Sequence, residues 1–519
     1  MAKPHEKLAD SLSLLHQIQK KGAKVVRTTD LTRVHRERLI DAGYLTQVMK
    51  GWFIYSSPQD RTGDSTAWYT SMRDFVMGYA DERFGEDWCV NPELSLQLLT
   101  AVTRLPKQVV LHTPNGDNNI VALPAGTSIF AYKAKDFPPA GLRVEVMGLR
   151  AYSLEAALVR VNPNIWQTDP STMRLALAQL RDADDLSRIL LDGEHSVIAG
   201  RLIGALEAVG RGDLGQQIHQ AMTSVGYVVN RENPFAQPVA PVRLLQESPY
   251  CGRIRDMWDE MRTQVLENWS LDPQPVLDAN AYLDDMEVRY VTDAYHSLSI
   301  EGYHVTPELI EKVRAGKWSP DGNDTDKRDR DTMAARGYYD AHLRVRDSLA
   351  PVLAGENAGT VLKRDLQSWY QSMWRPSVTA GILKPSDLAG WRNGEVYIRN
   401  SMHTPPKREA VRDTMPVFFE LLEQEESAAV RVVLGHFVFV FIHPYMDGNG
   451  RLARFLMNTM LASGGWPWTV IPVETRSEYM KALEAGSADK DIVPFTKFVA
   501  KIVEQQLGKP LEIKDRFKG

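Results

Sequence analysis

Two cysteines, Cys89 and Cys251, are all that the 519 residues contain. They cannot build a disulfide framework or a multi-thiolate zinc site, and each is expected as a small core or surface residue. No apolar run reaches the width of a bilayer. The densest, Val432 to Ile442, is interrupted by Gly435 and His436 and falls far short of the ~20 residues that a spanning helix needs. The opening MAKPHEKLADSL lacks the apolar core of a secretory leader. There is no repeat of fixed period and no long low-complexity tract. These absences point to a soluble protein of a reducing compartment, the cytoplasm, with no membrane partner. A hydrophobic fraction of 43% and a charged fraction of 24% exclude a mainly disordered or collagen-like chain. The net charge of −5 says little about partners, so local charge has to be read instead. The length allows about three domains at ~150 residues each.

Local charge is distinctive near the start. Between Lys20 and Lys50 the basic residues exceed the acidic ones by five, in a chain that is acidic overall. Leu8, Leu12, Leu15 and Ile18 recur at helical spacing. Thr28-Thr29-Asp30 reads as a helix start, and Thr32 to Ala42 as a second amphipathic helix that Gly43 stops. Tyr44 to Tyr55 reads as two short strands around Lys50-Gly51. Helices followed by a hairpin suit a winged helix-turn-helix, in which Arg33, Arg36, Arg38 and Lys50 would meet the phosphates of double-stranded DNA. A solvated basic helix face that binds nothing is the alternative.

Residues 61 to 232 are mixed. Gln108 to Thr113, Ile120 to Leu123, Thr127 to Tyr132 and Leu142 to Met147 read as strands, and Leu154 to Val161 and Ser171 to Leu191 as helices. With the N-terminal unit this stretch resembles the transcriptional-regulator antitoxins of abortive-infection systems. That resemblance is carried by Leu31, Arg38-Leu39, Gly43-Tyr44-Leu45 and Lys50-Gly51-Trp52-Phe53. The proline-rich run 233–249 is the expected linker. The chain then turns helical, with Ser319 to Asp331 expected as an exposed loop.

The chemistry concentrates in HPYMDGNGRLAR, His443 to Arg454. Ser427 can cap a helix running through Val432 to Phe441, although FVFVFI is also good strand sequence. Pro444 ends that element, and Arg451 to Ala462 reads as the next helix, stopped by Gly464-Gly465. Arginines in the first turn of a helix oppose its dipole unless an anion sits there. Gly448-Asn449-Gly450 lets the backbone curl into a nest of N–H donors, and the spacing of Arg451 and Arg454 puts both guanidinium groups on one face. This describes a polyphosphate site. Asp447 is a hard oxygen ligand suited to Mg²⁺ shared with phosphates. His443, with a reference pKa of ~6.5, can be a neutral base at pH 7. A plain turn between two helices would explain DGNG alone, but poorly explains the whole string. His436, seven residues before His443, is expected as a packed core histidine.

The string resembles the signature of the Fic family, His-Pro-Phe-x-Asp/Glu-Gly-Asn-Gly-Arg-x-x-Arg, with Tyr445 at the usual phenylalanine. The resemblance spans about residues 270 to 505. It implies an all-α core and transfer of AMP from ATP to a Ser, Thr or Tyr hydroxyl of a target protein. It implies that Gly448, Asn449, Gly450, Arg451 and Arg454 hold the nucleotide, that Asp447 holds Mg²⁺, and that His443 is the base. Gly390-Trp391-Arg392, Val396, Ile398, His403 and Pro405-Pro406 are similar to the family's flap, a hairpin whose edge pairs with a target peptide. Tyr479 and Leu483 fall where the family builds its adenine pocket. Ser297-Leu298-Ser299-Ile300-Glu301-Gly302 resembles the family's inhibitory motif. In its second class the glutamate, here Glu301, pairs with the last arginine, here Arg454, in place of the γ-phosphate.

The expected architecture is multidomain α+β. A winged helix-turn-helix (1–60) precedes a mixed α/β region (61–232), a linker with a leading helix (233–270) and an all-α core with a β-hairpin flap (271–519). The expected activity is protein adenylyltransfer, held in check by Glu301. Two alternatives stand beside it. One is a related enzyme with another donor or the reverse direction. The other is a DNA-binding regulator whose helical core serves as a sensor.

Overall fold

The structure is a computed structural model that describes residues 4–20, 25–58, 64–239, 248–272, 274, 278–317 and 330–507. Among the described residues the protein is mostly helical, with small sheets in its N-terminal half. Two compact units divide it. The first comprises Met1–Arg253 and Tyr397–Thr404, the second Ile254–Val396 and Pro405–Gly519. Among the described residues no helix is long and apolar enough to cross a membrane.

The first unit opens with helix Pro4–Lys20, β1 (Val25–Arg27), helix Arg33–Asp41, β2 (Leu45–Met49) and β3 (Trp52–Tyr55). The strands form an antiparallel sheet in the order β1-β3-β2. Leu15, Val26, Leu31, Leu39, Leu45 and Phe53 make its small core. Both helices and the hairpin are legible in the sequence, while the three-residue β1 is not. Thr28-Thr29-Asp30 is a turn instead of a helix start. The Asp30 carboxylate accepts from Arg27 N at 2.6 Å, and the helix begins only at Arg33.

A four-stranded sheet follows, ordered β4-β5-β7-β6 from Cys89–Val90, Gln108–Thr113, Ser128–Lys133 and Ile120–Ala122. Within it β5 and β7 are parallel. A separate antiparallel pair joins β8 (Arg143–Val146) to β9 (Leu149–Tyr152). All four strands expected in this region are present within a residue or so of their ends. The expected single helix from Ser171 to Leu191 is two helices, Pro170–Gln179 and Asp184–Asp192. The buried Arg211 guanidinium takes the carbonyls of Leu177 and Leu180, which a continuous helix would need for itself.

The proline-rich run begins as a packed strap. Phe235 is buried in the first unit's core, and Glu232 N donates to Gly200 O. Gly200 and Gly204 permit this, because a Cβ there would lie 1.9 Å and 2.2 Å from the carbonyl oxygens of Asn230 and Glu232. Residues 240–247 of the expected linker lie outside the described residues, as do 319–329 of the expected loop. Asp331 lies inside a helix.

The second unit is built on helix Ala428–Ile442 and helix Asn449–Ser463, which pack on each other. The run FVFVFI is helical here. A helix that is apolar all round has to be enclosed on every side, and almost every residue of this one is buried. Helices Arg330–Leu353, Ala358–Thr379 and Arg408–Gln424 enclose the pair, joined by Arg476–Asp489 and Val493–Gln506.

Candidate active site

The bend between the two central helices is set by backbone conformation. Ser427 caps the first helix as expected, accepting from Val430 N. That helix ends at His443, whose φ of +53° is left-handed, and Pro444 prevents its continuation. Gly448, at φ +88°, caps the next helix, which begins two residues earlier than the hydrophobic pattern suggests. Asn449, Gly450 and Arg451 therefore form its first turn, where backbone N–H groups have no partner within the helix.

Asn449 locks the bend. Its carboxamide oxygen accepts from Tyr445 N at 3.0 Å, and its amide donates to Tyr445 O at 2.8 Å. The side chain of Asn449 thus holds both backbone groups of Tyr445, while its backbone N–H belongs to the first turn of the helix. Tyr445 stacks on Tyr370 at 3.8 Å and donates its hydroxyl to Gln367 at 3.0 Å. The hydroxyl that distinguishes it from phenylalanine is thus satisfied.

His443 lies at one rim. Its Nδ1 is 3.1 Å from Val440 O, and a carbonyl can only accept, so the proton sits on Nδ1 and the Nε2 lone pair is free. Burial holds its pKa below the usual histidine value, against smaller opposing effects from Val440, Glu301 and Asp447. The ring is therefore neutral at pH 7. Arg392, fully buried, donates to His443 O at 2.8 Å, to Gly394 O at 2.9 Å and to Pro406 O. Its own N–H bonds Pro444 O. This scaffold for the histidine is one that sequence reasoning placed only in the flap.

The other rim is cationic. Arg451 and Arg454 are 2% and 3% exposed at the helix start. Arg454 donates from Nε to Ser297 Oγ at 2.8 Å, and from Nη2 to Ser297 O at 2.9 Å and Glu301 Oε1 at 2.7 Å. A Cβ on residue 450 would meet that same carboxylate oxygen at 2.3 Å, so Glu301 lies directly over the first helical turn. Burial pushes the Glu301 carboxyl up, but the charges of Arg454 and Arg451 outweigh it and hold it below the usual carboxylate range. Gly302 makes this geometry possible. Its φ of +84° closes helix Ala279–Ile300 with bonds from Gly302 N to Ser299 O and from Tyr303 N to Leu298 O. Glu301 therefore sits at a helix C-terminus, a poor place for a negative charge without a cation opposite. Val473 N donates to His296 Nδ1, and Arg476 donates to Ile300 O, which fixes that helix end further.

Three buried donors around the bend have no hydrogen-bond partner: Trp374 Nε1, Arg451 Nε and Arg454 Nη1. Unsatisfied buried donors are costly, and a cluster of them suits an anion. Asp447, largely exposed, lies 3.6 Å from Arg451. Among the described residues no three metal-ligating side chains cluster, so a divalent cation here would use Asp447 and oxygens of a bound phosphate.

Among the remaining expected residues, Tyr479 stands next to Arg454, whose charge and hydrogen bonding act on its hydroxyl. Tyr479 is packed among Phe495 and Phe498 with its hydroxyl 2.7 Å from His436 Nε2, so its ring is part of the core. His436 is itself fully buried, its pKa pushed down to about 3, which suits a packed neutral ring. Val396 and Ile398 lie in a segment without strands, so the expected flap hairpin is absent. Its backbone bonds go elsewhere, from Ser401 N to Ile398 O, from Thr404 N to Thr103 O and from Leu105 N to Met402 O. In the first unit Arg36 and Arg38 are tied down. Arg36 reaches the carbonyls of Thr28 and Leu31, and Arg38 reaches Lys7 O and Ser11 Oγ. Arg33 pairs with Glu37 on the surface, and Lys50 is exposed at the hairpin turn.

Part of the chain is similar to known proteins. Residues 364–461, a span that includes the bend, match the Fic/DOC family model. Protein adenylyltransferase Fic of Drosophila grimshawi is 29% identical over 254 residues, 48% of this chain and 49% of its own. The protein of the same name from Drosophila virilis is 29% identical over 222 residues, 42% of each chain. The chain spans about half the length of the curated relatives it matches. Among solved structures, Fic-1 of C. elegans (residues 134–508) is 18% identical, with a TM-score of 0.36 over 68% of this chain and 89% of its own.

Proposed function

We propose that this Fic/DOC-domain protein is a protein adenylyltransferase that moves AMP from ATP to a Ser, Thr or Tyr hydroxyl of a target protein, and that Glu301 restrains it. The observation that carries this reading is one bend with a free imidazole nitrogen at one rim and buried, partnerless cationic donors at the other. The distant relation to protein adenylyltransferases supports the same chemistry.

In this reading the triphosphate lies over the first turn at Gly448, Asn449 and Gly450. Arg451 contacts the β-phosphate and Arg454 the γ-phosphate. His443 Nε2 accepts the proton of the target hydroxyl as its oxygen attacks the α-phosphorus. The bond from that phosphorus to the bridging oxygen breaks, and diphosphate leaves with its charge held by the arginines and the helix terminus. Asp447 would hold Mg²⁺, which neutralises phosphate charge when bound. Glu301 competes for Arg454, so the γ-phosphate has no counter-charge until that carboxylate moves away. Tyr479 acts from behind, as packing under the nucleotide side of the site, and Val396 edges the approach for a target chain.

The test uses Glu301→Gly protein with ATP labelled at either the α or the γ phosphorus, followed by mass spectrometry. The expected product is a protein adduct of AMP mass. Transfer of the γ label would mean phosphorylation, and loss of AMP from a pre-modified target would mean the reverse reaction. His443→Ala should lower transfer by roughly 10²–10⁴ while keeping ATP binding. Near-parental labelling by that variant would remove the histidine from its role.

DNA contact by the first unit is a separate reading, which rests on its helix-and-hairpin arrangement with Arg33 and Lys50 outward. A gel shift that weakens with salt, and again on Arg33→Ala with Lys50→Ala, is its test. A salt-insensitive shift would argue against it.

A further inference from the structure

The two glycines of the bend face different neighbours. Gly450 faces Glu301 and Arg454, with a notional Cβ 2.3 Å from the carboxylate and 3.3 Å from Arg454 Nη1. Gly448 faces Trp374 and Arg451, with a notional Cβ 3.2 Å from the indole Nε1 and 3.6 Å from Arg451 Nη2. Glu301 therefore covers only the Gly450 half of the anion bay. On the Gly448 side Asp447 takes Gly448 N and faces Arg451 Nη2, which leaves Trp374 Nε1 and Arg451 Nε without an acceptor. Trp374 Nε1 is buried there and has no hydrogen-bond partner. An indole N–H can donate and do nothing else, so leaving it buried and unmatched is costly. The same ring lies 5.1 Å from the Arg451 guanidinium carbon, and the Tyr303 ring lies 5.2 Å from it. Arg451 is thus flanked by two aromatic rings that favour a cation and limit its rotamers.

We propose that Trp374 is a further phosphate-binding residue: its indole N–H donates to an oxygen of the inner phosphates, on the Gly448 side of the bend, and its ring together with Tyr303 positions Arg451 for the same group. This rests on the ATP reading above and adds a donor that the twelve-residue string does not contain. Trp374 belongs to helix Ala358–Thr379, about seventy residues upstream of the bend. Arg454 and Glu301 govern the outer phosphate, and Trp374 with Arg451 governs the inner ones. Adenosine, which has no phosphate, is indifferent to Trp374.

The experiment is calorimetry on the full chain in the Glu301→Gly background, with ATP, ADP and adenosine as probes. Trp374→Phe keeps the ring over Arg451 and removes the N–H. ATP and ADP should each bind about tenfold more weakly or worse, because a hydrogen bond to a charged oxygen is lost. Adenosine affinity should stay within twofold. ATP affinity within twofold of the parent overturns the donor assignment, and so does an equal loss for adenosine, which would mean a purely structural role. If the Glu301→Gly parent takes up no ATP at all, the adenylyltransferase reading fails first and carries this inference with it. Should Trp374→Phe not fold, the Trp374 indole N–H resonance of the parent reads the same contact. Inorganic diphosphate should shift that resonance and slow its exchange with water. An unmoved signal at saturation overturns the proposal.

Discussion

Replacing Glu301 by glycine should make the protein less stable and, at the same time, a better ATP binder. Removing one member of a buried ion pair costs about 3–5 kcal/mol, because the other is left without a counter-charge. Three features of this site reduce that figure. The Glu301 side chain is 29% exposed, so water reaches part of the vacated space. Arg454 keeps its two bonds to Ser297. Removing a carboxylate from a helix C-terminus also recovers about 0.3–1 kcal/mol. A net loss of about 2 kcal/mol results, which lowers the melting temperature by roughly 4–8 °C in a unit of this size. In the parent, ATP has to displace Glu301 from Arg454 and bears the same cost. Its removal should therefore tighten ATP by about thirtyfold. The sign of the pKa shift adds a control. A carboxylate held below its ordinary range keeps its pairing above that range and loses it only as pH falls through the depressed value. The ATP affinity of the parent should thus be flat across neutral pH. The assays are thermal melts with and without ATP and Mg²⁺, and isothermal titration. A variant with the parental melting temperature and parental ATP affinity would refute the clamp, since both effects come from one contact.

Two further predictions concern the bend. His443 has its pKa lowered by burial, so the acid limb of the transfer rate in Glu301→Gly protein should have its midpoint below pH 6.5, with a plateau above it. Loss of the Glu301 charge pushes the limb lower still, and a midpoint at or above pH 7 would contradict a buried neutral base. Asn449→Ala deletes two buried bonds to Tyr445 and leaves that backbone N–H unmet, a cost of about 1–3 kcal/mol. Lower thermal stability and weaker ATP binding should appear together, and an unchanged melt would show that the bend holds without its amide.

The elements that sequence reading recovered share one property, that the information is local. The strands at Gln108–Thr113 and Ser128–Lys133, the Ser427 cap and the stop at Gly464 follow from alternation or from one residue acting on its own stretch of backbone. Where reading failed, a distant group had intervened. Arg211 breaks a helix thirty residues away, and Asp30 claims the turn that looked like a helix start. The segment around Val396 and Ile398 has the alternation of a strand edge, but its backbone bonds lie elsewhere.

The same division runs through the site. Residue order alone determined that an imidazole, a carboxylate, two glycines and two arginines would crowd one bend, because a left-handed stop, a proline and a glycine cap are written within twelve positions. Only tertiary packing decided what those groups face. It brought Glu301 from a helix some 150 residues upstream onto Arg454, set Arg392 beneath the histidine, and placed the rings of Trp374 and Tyr303 around Arg451. Contacts between far-separated helices depend on how whole apolar faces fit together, and no short stretch of sequence carries that fit.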